Sequence, residues 1–476
     1  GQVSAATATL RGAAPLGVAA GVGALAAAAV AALAADAPAY GLLAAFALLA
    51  GVATLTRPDL ATLLVVGVLY SNAAVLAYKF HGAPYAAAAG LPLVLLLPLL
   101  YHLLVRGERP VATRALPAVL ALFVVQIAAT IGARDGNATI VELLGFVVEG
   151  LGLYLLVTNV VRSLALLRRI VWLLLVVGAL SGALSLFQQA TGSFDNDYGG
   201  FAQVSQAEFR TGELRSGIEE TQRRLAGPIG EQNRYAQILL VLIPLGLFTR
   251  WSERDPRRRL LAGACTALIA VGATLTFSRG AAVAFALVLV LMTLLRYIRV
   301  HQLLAVAAAV FLLLSLVPAY KARLATLGAV SGATAQPGSG TQADGSARSR
   351  ATENLAAALV LRDNLALGVG PGQFPSYYED YAQRVGIRVV EGNRQAHNLY
   401  LGLAAETGLA GLAFFLAAVG ITLRELARAR RRFLRRRPEL AHLAAGFLFA
   451  VVAYMASGLF LHLSYQRYFW LLLALA

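Results

Sequence analysis

Long apolar runs, separated by short polar segments, make up most of the chain. About 20 apolar residues in a helix cross the hydrocarbon core of a bilayer, so each long run predicts a transmembrane helix. The runs lie at about 14–35, 40–56, 60–78, 85–105, 115–132, 138–161, 170–190, 235–249, 260–277, 280–295, 301–318, 398–422 and 440–461, with a short final run from Tyr468. The pattern predicts an all-α integral membrane protein with about 12 (12–14) transmembrane helices.

The composition points to the same class of protein. Of the 476 residues, 59% are hydrophobic, and the mean hydropathy of +0.70 is well above what a soluble domain with a solvated surface carries. The single cysteine, Cys265, excludes a disulfide framework and a cysteine metal cluster. Composition therefore excludes small secreted domains and Cys-ligated metalloproteins.

The positive charges give the predicted helices an orientation. The formal net charge is +16, but only two of the 40 basic residues are Lys, and Arg residues cluster between the apolar runs. The connections 106–114, 162–169, 250–259, 296–299 and 424–437 occur at every second loop and hold 21 Arg and four acidic residues. The positive-inside rule places these connections in the cytoplasm, so the charge reflects topology and does not indicate nucleic-acid binding.

The alternate connections are then expected on the outer side. They are 133–137, 191–234, 278–279, 319–397 and 462–467. Two of them are long, and long loops inside a compact bundle are usually functional. The predicted regions are N-terminal transmembrane helices (1–190), a first long outer loop (191–234), further transmembrane helices (235–318), a large outer loop (319–397) and C-terminal transmembrane helices (398–476).

The two long loops carry different local patterns. In 191–234, the stretch QVSQAEFRTGEL predicts a short amphipathic helix. The loop 319–397 begins with GAVSGATAQPGSGTQADGSARS, which lacks the apolar content needed to pack. The stretch ENLAAALVLRDNLALG that follows predicts a helix ending at Gly368.

Four polar clusters lie in the outer loops or at their ends. They are RRLAGPIGEQNRYAQ (223–237), FSRGA (277–281), SRATENLAAALVLRDNLALGVGPGQF (349–374) and RQAHNLYLGLAAETGLAG (394–411). In these residues, and in this order, the sequence resembles the O-antigen ligase and polymerase superfamily. The resemblance implies a membrane glycosyltransferase with a GT-C-type bundle, two long periplasmic loops and an active site outside the cytoplasmic membrane, acting on a polyprenyl-diphosphate-linked glycan.

Three arginines match recurring positions of that superfamily: Arg224, Arg279 and Arg350. A lone Arg279 between two apolar runs could simply extend to water or lipid phosphate at the membrane face. The planar guanidinium also binds phosphate oxygens with two parallel hydrogen bonds and keeps its charge at any working pH. We therefore expect the three side chains to bind the donor diphosphate and Arg279 to assist its departure, with no metal ion.

His397 is the candidate base. Of the six histidines, His81, His397 and His462 are expected outside, and only His397 lies in a polar cluster and matches the His-Asn motif of the superfamily. Imidazole titrates near neutral pH and can accept the proton of an acceptor hydroxyl. Alternatively, His397 only positions the acceptor, or caps the helix that follows. Asn398 is expected to support it.

Further residues are expected to support the site. Asn233 and Glu406 match the family pattern, and a carboxylate at Glu406, inside a predicted helix, requires an Arg or His partner. Gly370 and Gly372 either present backbone N–H groups to a phosphate or sugar, or form a structural turn after a helix.

Other acidic residues have alternative explanations. Asp195 and Asp197 form a DxD pattern that many glycosyltransferases use for a metal ion, but the superfamily is not generally metal-dependent, and we expect no metal site and no cofactor. Glu142 and Glu149 are seven residues apart and share one helix face. They could mark a proton path, but we expect them to pair with Arg inside the bundle.

The motif context looks most like the ligase branch, and the resemblance therefore implies an O-antigen ligase of lipopolysaccharide biosynthesis in the bacterial inner membrane, with its active site facing the periplasm. The expected partners are an undecaprenyl-diphosphate-linked glycan donor, a lipid A-core acceptor and the lipid bilayer, with no nucleic acid. The motifs leave open an O-antigen polymerase or a protein O-oligosaccharyltransferase, which share the donor. A transporter or flippase is disfavoured because no repeated halves with broken helices are found.

Overall fold

The computed structural model describes residues 57–215, 218–305 and 345–476, together with 45, 48, 51, 52, 307 and 308. The predicted helix 14–35, most of the predicted helices 40–56 and 301–318, and nearly all of the Gly/Ser-rich tract of the large loop lie outside these residues. The described chain divides into two compact units, and the boundary in the sequence lies between Arg109 and Pro110.

The first unit is helical. It contains α1 (Pro58–Tyr70), α2 (Ala73–His81) and α3 (Tyr85–Val105), which ends in a π-helical turn. α1 and α2 are bent by 55° at the break between them. Inside this unit, Nδ1 of the buried His102 lies 3.1 Å from Oε2 of Glu108.

The second unit contains a helical bundle and one hairpin. Its elements are α4 (Leu116–Gly132), α5 (Gly136–Val160), α6 (Leu164–Thr191), β1 (Gln203–Arg215), β2 (Ile218–Gly227), α7 (Gln232–Ser252), α8 (Pro256–Thr274), α9 (Arg279–Leu294), α10 (Gly345–Asp363), α11 (Phe374–Val385), α12 (Leu399–Phe433), α13 (Pro438–Ser457) and α14 (Gln466–Leu475). α7 is the central helix, packed against α8 and α13. α12 packs against α4 and α13, and α14 packs against α5.

Six of the described helices are long and apolar enough to cross a membrane: α3, α5, α6, α7, α12 and α13. The bent pair α1 and α2 would be a seventh, and α4 and α9 are shorter apolar helices. The structure is thus a mostly helical membrane protein, as predicted. The predicted count of about 12 spans is not confirmed by the described residues.

The predicted amphipathic helix in the first long loop is wrong. QVSQAEFRTGEL lies in β1, which pairs antiparallel with β2 from Gln203↔Gly227 to Arg215↔Ile218. The Ser-Gly dipeptide at 216–217, between two polar stretches of similar length, is the turn signal that the helical reading missed. Pairing gives the facing backbone groups of this polar stretch hydrogen-bond partners across the hairpin.

The connections between helices of the second unit form two sets, according to which of them contact one another. At one end, the buried Gln373 accepts hydrogen bonds from the backbone N–H groups of Arg134 and Asp135, at 2.8 and 2.9 Å, and so joins the large loop to the α4–α5 turn. Arg224 of the hairpin donates to the carbonyl of Thr276, next to the α8–α9 turn. These are connections that the sequence predicts on the outer side.

The Arg-rich connections meet at other points. Arg114, before α4, lies 2.8 Å from Glu425 near the end of α12. Arg430 lies over the ring of Tyr297, 4.2 Å from its centroid. The alternation of Arg-rich and Arg-poor connections in the sequence therefore matches two separate groups of contacts.

α12 is broken near its first third. Gly408 adopts φ 67° and ψ −172° inside the helix, and the glycine-rich loop after α10 supplies partners for the backbone there. Val369 N–H donates to the carbonyl of Ala405 at 3.0 Å, and Leu409 N–H donates to the carbonyl of Leu365 at 2.8 Å. A broken helix in an apolar bundle requires such replacement partners because water is absent.

We predict that Gly408→Ala destabilises the protein and that Gly420→Ala, in the same helix, does not. A Cβ at Gly408 would lie 2.1 Å from the carbonyl oxygen of Ala366, and a positive φ costs a non-glycine residue about 1–3 kcal/mol by itself. A Cβ at Gly420 meets no atom within 4 Å. Thermal unfolding in detergent should show a lower melting temperature for the first variant only; equal melting temperatures would contradict the break.

Candidate functional site

The side chain of Asn233 joins three elements of the predicted site. Its Oδ1 accepts hydrogen bonds from Arg224 Nη2 at 3.1 Å and from Ser278 Oγ at 2.9 Å. Arg224 lies in β2, Asn233 in the first turn of α7, and Ser278 directly before α9. Arg224 Nε also donates to the carbonyl of Thr276 at 3.0 Å. One amide oxygen therefore ties the hairpin to two helix N-termini, and we call this group the Asn233 junction.

Both helix N-termini at the junction are capped by side chains. The carboxylate of Glu231 accepts hydrogen bonds from the N–H groups of Asn233 and Arg234, at 3.0 and 2.7 Å. Ser278 Oγ accepts from the N–H of Ala281 at 3.4 Å. A helix N-terminus carries a partial positive charge that favours a nearby anion. The junction therefore places two such ends side by side.

An open pocket lies against the junction. The space between its lining atoms is about 230 Å³ including open solvent, of which about 10 Å³ admits the centre of a water molecule. Its lining residues are Asn233, Ser278, Gly280, Ala281, Arg350, Ser457, Phe460 and Leu461. The pocket thus brings Arg350 of α10 to the N-termini of α7 and α9. The close packing depends on Gly280, because a Cβ there would lie 2.8 Å from Cβ of Phe460.

The three predicted phosphate-binding arginines converge on this region. Arg224 is buried beneath the junction, and Arg350 lines the pocket. Arg279 is the first residue of α9, lies between Ser278 and Gly280 of the pocket lining, and is partly exposed. Residues that are far apart in the sequence are therefore grouped at one end of the bundle.

His397 lies beside a buried carboxylate. Its Nδ1 is 2.6 Å from Oε2 of Glu353, within ion-pair distance, although the two groups are not aligned as a hydrogen bond. Arg394 contacts the other oxygen of Glu353, with Nη2 at 2.6 Å and Nε at 2.8 Å from Oε1. The side chain of Glu353 is 0% exposed, whereas that of His397 is 26% exposed. The imidazole is therefore held from the inside of the fold and accessible from the outside.

A second histidine lies edge-on to the first. The ring centroids of His397 and His462 are 6.1 Å apart with an interplanar angle of 82°. Burial, then the positive charge of Arg234, and then the proximity of His397 lower the pKa of His462 to about 3. His462 is therefore neutral at physiological pH, and the pair does not carry two positive charges.

The connection between α13 and α14 joins the pocket to the histidines. Leu461 lines the pocket, and His462, the next residue, faces His397. The N–H of Leu399 donates to the carbonyl of Gly458 at 2.7 Å, which fixes the start of α12 against this connection. The pocket and the imidazole of His397 are therefore parts of one region.

Asn398 has a structural role at that point. Its Oδ1 accepts hydrogen bonds from the N–H groups of Tyr400 and Leu401, at 2.9 and 3.0 Å, and so caps α12. Its Nδ2 donates to the carbonyl of Leu459 at 3.3 Å. Asn398 supports His397 by holding the helix start and the adjacent connection together.

The glycine-rich loop packs on Glu406 and the broken part of α12. The N–H of Phe374 donates to Glu406 Oε1 at 3.2 Å, and the N–H of Gly370 donates to the Glu406 carbonyl at 2.9 Å. At Gly372, φ is 70°, and a Cβ would lie 3.2 Å from the carbonyl oxygen of Ala138. Of the two expected roles, these contacts favour the structural turn. The predicted Arg or His partner of Glu406 is replaced, among the described contacts, by backbone N–H groups.

The carboxylates of α5 pair with α14. Arg467 Nη1 lies 2.9 Å from Glu149 Oε1, so the expected pairing with Arg is confirmed for this residue. Glu142 Oε1 instead accepts a hydrogen bond from Gln466 Nε2 at 2.6 Å. Both contacts satisfy polar groups inside the bundle and anchor α14 to α5.

The DxD residues contact their own loop. Asp195 Oδ1 accepts from Arg223 Nη1 at 3.3 Å, and Asp197 Oδ1 accepts from the N–H of Gly199 at 3.0 Å. The side chain of Asp195 is fully exposed. These contacts are typical of a loop that is held by its own turn and by the adjacent strand.

Residues 264–416 match the family model described as O-antigen ligase. The match confirms, over these residues, the predicted resemblance to the O-antigen ligase and polymerase superfamily. It extends from α8 into α12 and contains Arg279, Arg350, His397 and Glu406, whereas Arg224 and Asn233 precede it. The family suggests ligase-type or polymerase-type activity by a membrane glycosyltransferase-like enzyme. None of the curated proteins matches the chain significantly.

Three residues of this region are not singled out by the sequence. Glu353 and Arg394 lie inside the quoted motifs but were not singled out, and His462 was set aside for want of a polar cluster around it. Helical spacing could have found Glu353, because Ala356, Ala357 and Val360 place it on an apolar face. Nothing in the sequence around His462 indicates its contact with His397.

We predict that His462 stays neutral between pH 5 and pH 8. Because its pKa in the folded protein, about 3, is below the ordinary value of 6.5, the unfolded chain binds a proton that the folded chain does not. The stability from this residue is therefore present above pH 6.5 and is lost as the pH falls toward 3.

Selective 13C labelling of histidine, with the resonance assigned by His462→Gln, measures this directly. The His462 signal should not shift between pH 5 and 8. Acid unfolding of His462→Gln should also be less steep with pH than that of a His81→Gln control at an exposed helix end. A His462 signal that titrates near pH 6.5 would contradict the burial.

Proposed function

We propose that the protein is an O-antigen ligase that transfers a preassembled glycan from undecaprenyl diphosphate to a hydroxyl of lipid A-core oligosaccharide. The grouping of Arg350 in the pocket lining, Arg224 on Asn233 and Arg279 between two lining residues, in the same region as His397, carries this proposal. The family match supports the reaction class. The identity of the donor, the identity of the acceptor and the mechanism are proposals.

The pocket region suits the diphosphate of the donor. Arg350 lines the pocket, Arg279 lies in the chain between the lining residues Ser278 and Gly280, and Arg224 adds a buried positive charge under the junction. The N-terminus of α9, which is capped by the neutral Ser278, adds further positive potential, whereas the carboxylate of Glu231 already compensates the N-terminus of α7. A diphosphate leaves readily once its charge is compensated, so guanidinium groups serve where other enzymes use a metal ion.

His397 suits the acceptor. As the acceptor oxygen bonds to the anomeric carbon and the bond from that carbon to the diphosphate breaks, the hydroxyl proton passes to the imidazole. Attack opposite the diphosphate inverts the configuration at the anomeric carbon. Charge is balanced because the diphosphate takes the electron pair and the arginines compensate it. His397 could alternatively orient the hydroxyl, with the proton passing to water.

The proposed location is the bacterial inner membrane, with the pocket facing the periplasm. The charge asymmetry supports this orientation, because the Arg-rich connections contact one another away from the junction. The membrane face also suits the donor, whose lipid chain stays in the bilayer while its diphosphate reaches the pocket.

Reconstitution with an undecaprenyl-diphosphate glycan and three separate acceptors tests the proposal. The acceptors are lipid A-core, a second donor molecule and an acceptor protein. Glycan on lipid A-core is the expected product, with no loss of rate in EDTA. Product mass on a second donor would identify a polymerase, and product on protein an O-oligosaccharyltransferase. Export of the donor across the vesicle without any product would favour a flippase.

We predict that Arg279→Ala lowers transfer by roughly 10²-fold or more, the effect of losing one donor to a developing negative charge. Arg279→Lys should recover little, because an ammonium group does not form two parallel hydrogen bonds to a phosphate. Arg362→Ala is the matched control, since Arg362 is exposed and pairs with its neighbour Asp363. Near-normal transfer by Arg279→Lys would contradict the phosphate role.

We predict opposite accessibility for cysteines at two exposed positions. In a Cys265→Ala background, Gln383→Cys should react with a membrane-impermeant maleimide in intact cells, and Arg435→Cys only after lysis. Mass spectrometry of the labelled peptides measures the result. The reverse labelling would place the pocket in the cytoplasm and overturn the proposed donor side.

A further inference from the structure

Glu353 is a charged residue on the buried face of α10. The residues three, four and seven positions further on, Ala356, Ala357 and Val360, lie on the same face and are fully buried. This apolar face packs against Tyr378 of α11 in the core of the large loop. A carboxylate in such a place has lost its water and requires compensating partners.

The two carboxylate oxygens have different partners. Oε1 is contacted by Nη2 and Nε of Arg394, at 2.6 and 2.8 Å. Oε2 lies 2.6 Å from Nδ1 of His397. Arg394 and His397 are only three residues apart, just before α12, so Glu353 holds this short segment at two points. The ring of His397 is thereby fixed with Nδ1 toward α10 and Nε2 on the opposite side of the ring.

We propose that Glu353 is the positioning residue for His397, an inference that rests on the proposed glycosyl transfer. The negative charge of the carboxylate, 2.6 Å from Nδ1, favours the hydrogen of the neutral imidazole on that nitrogen and leaves the lone pair of Nε2 for the acceptor hydroxyl. As the acceptor oxygen bonds to the anomeric carbon and the diphosphate departs, Nε2 takes the proton. The carboxylate stabilises the imidazolium, which then returns its proton to water.

The other two groups that face His397 are not negatively charged and do not stabilise a protonated imidazole as Glu353 does. Arg394, from the same segment, is positive and disfavours a second positive charge on the imidazole. His462, from the α13–α14 connection, is neutral. Of these three neighbours, only Glu353 carries a negative charge.

Three variants test the inference. Glu353→Gln keeps the shape and removes the charge, and Glu353→Asp keeps the charge but shortens the side chain. Glu149→Gln is the matched control because it breaks another Glu–Arg pair, with Arg467, inside the bundle. Turnover should fall roughly 10²-fold or more in Glu353→Gln. Donor KM should stay near wild type, and Glu353→Asp should recover part of the rate.

The pH–rate profile separates positioning from simple loss of structure. Without the carboxylate, the imidazolium is less favoured, so the acid limb of the turnover profile should move to lower pH in Glu353→Gln while the plateau falls. A folded Glu149→Gln variant should keep the wild-type limb. Wild-type turnover and an unmoved limb in Glu353→Gln would overturn the inference.

A second readout does not depend on transfer. The partly exposed imidazole of His397 can be reached by diethyl pyrocarbonate, which modifies the neutral ring, and mass spectrometry measures its modification at each pH. In Glu353→Gln the modification should persist to lower pH than in wild type and Glu149→Gln. Superimposable curves would overturn the inference even if transfer is found. A shifted curve without transfer to any acceptor would support the Glu353–His397 coupling and count against the proposed function.

If Glu353→Gln does not fold, the same measurements on Glu353→Asp test the inference. The shorter side chain keeps Arg394 paired with a carboxylate but weakens the contact with Nδ1 of His397. Its modification curve should therefore move part of the way to lower pH, with reduced turnover. A curve and a turnover both equal to wild type would overturn the positioning role.

Discussion

The hydrogen bonds to Asn233 Oδ1 are the interaction on which the candidate site depends. This single amide oxygen accepts hydrogen bonds from Arg224 of the hairpin and from Ser278 at the start of α9. The helix that carries Asn233, α7, is capped by Glu231. Without this oxygen, the buried guanidinium and the hydroxyl would each lose a partner, which costs about 1–3 kcal/mol for each buried group. The junction thus fixes two helix N-termini beside one pocket.

The membrane imposes the second constraint, because buried polar groups need partners within the protein. The break of α12 at Gly408 is satisfied by the glycine-rich loop, and Glu406 by the N–H of Phe374. Glu149 pairs with Arg467 in the same way. Groups that could have been mistaken for a site therefore build the scaffold, while the pocket and His397 stay accessible.

The sequence predicted those features that depend on local pattern. Apolar runs predicted most helices of the described chain, whereas the cytoplasmic side expected for the Arg-rich connections stays a prediction. The motifs also predicted the region where Arg224, Arg279 and Arg350 gather. Features that depend on contacts between distant segments were not accessible: the hairpin in place of a helix, and the facing rings of His397 and His462.

Glu353 lies between these two cases. Its helical face could be read from the sequence, but its two basic partners come from a segment about 40 residues away, which no local pattern reveals. For the same reason, the role of Gly370 and Gly372 remained open in the sequence, since a turn and a phosphate loop require the same backbone freedom. The contact of Gly370 with α12 favours the turn.

A cryo-electron microscopy structure with bound undecaprenyl diphosphate would test the central claim most directly. The account predicts phosphate oxygens within hydrogen-bond distance, about 3 Å, of Arg279 and Arg350 and next to the Asn233 junction, with the lipid chain in the bilayer. Phosphates bound instead at the glycine-rich loop, or beside the Arg-rich connections at the other end of the bundle, would contradict it.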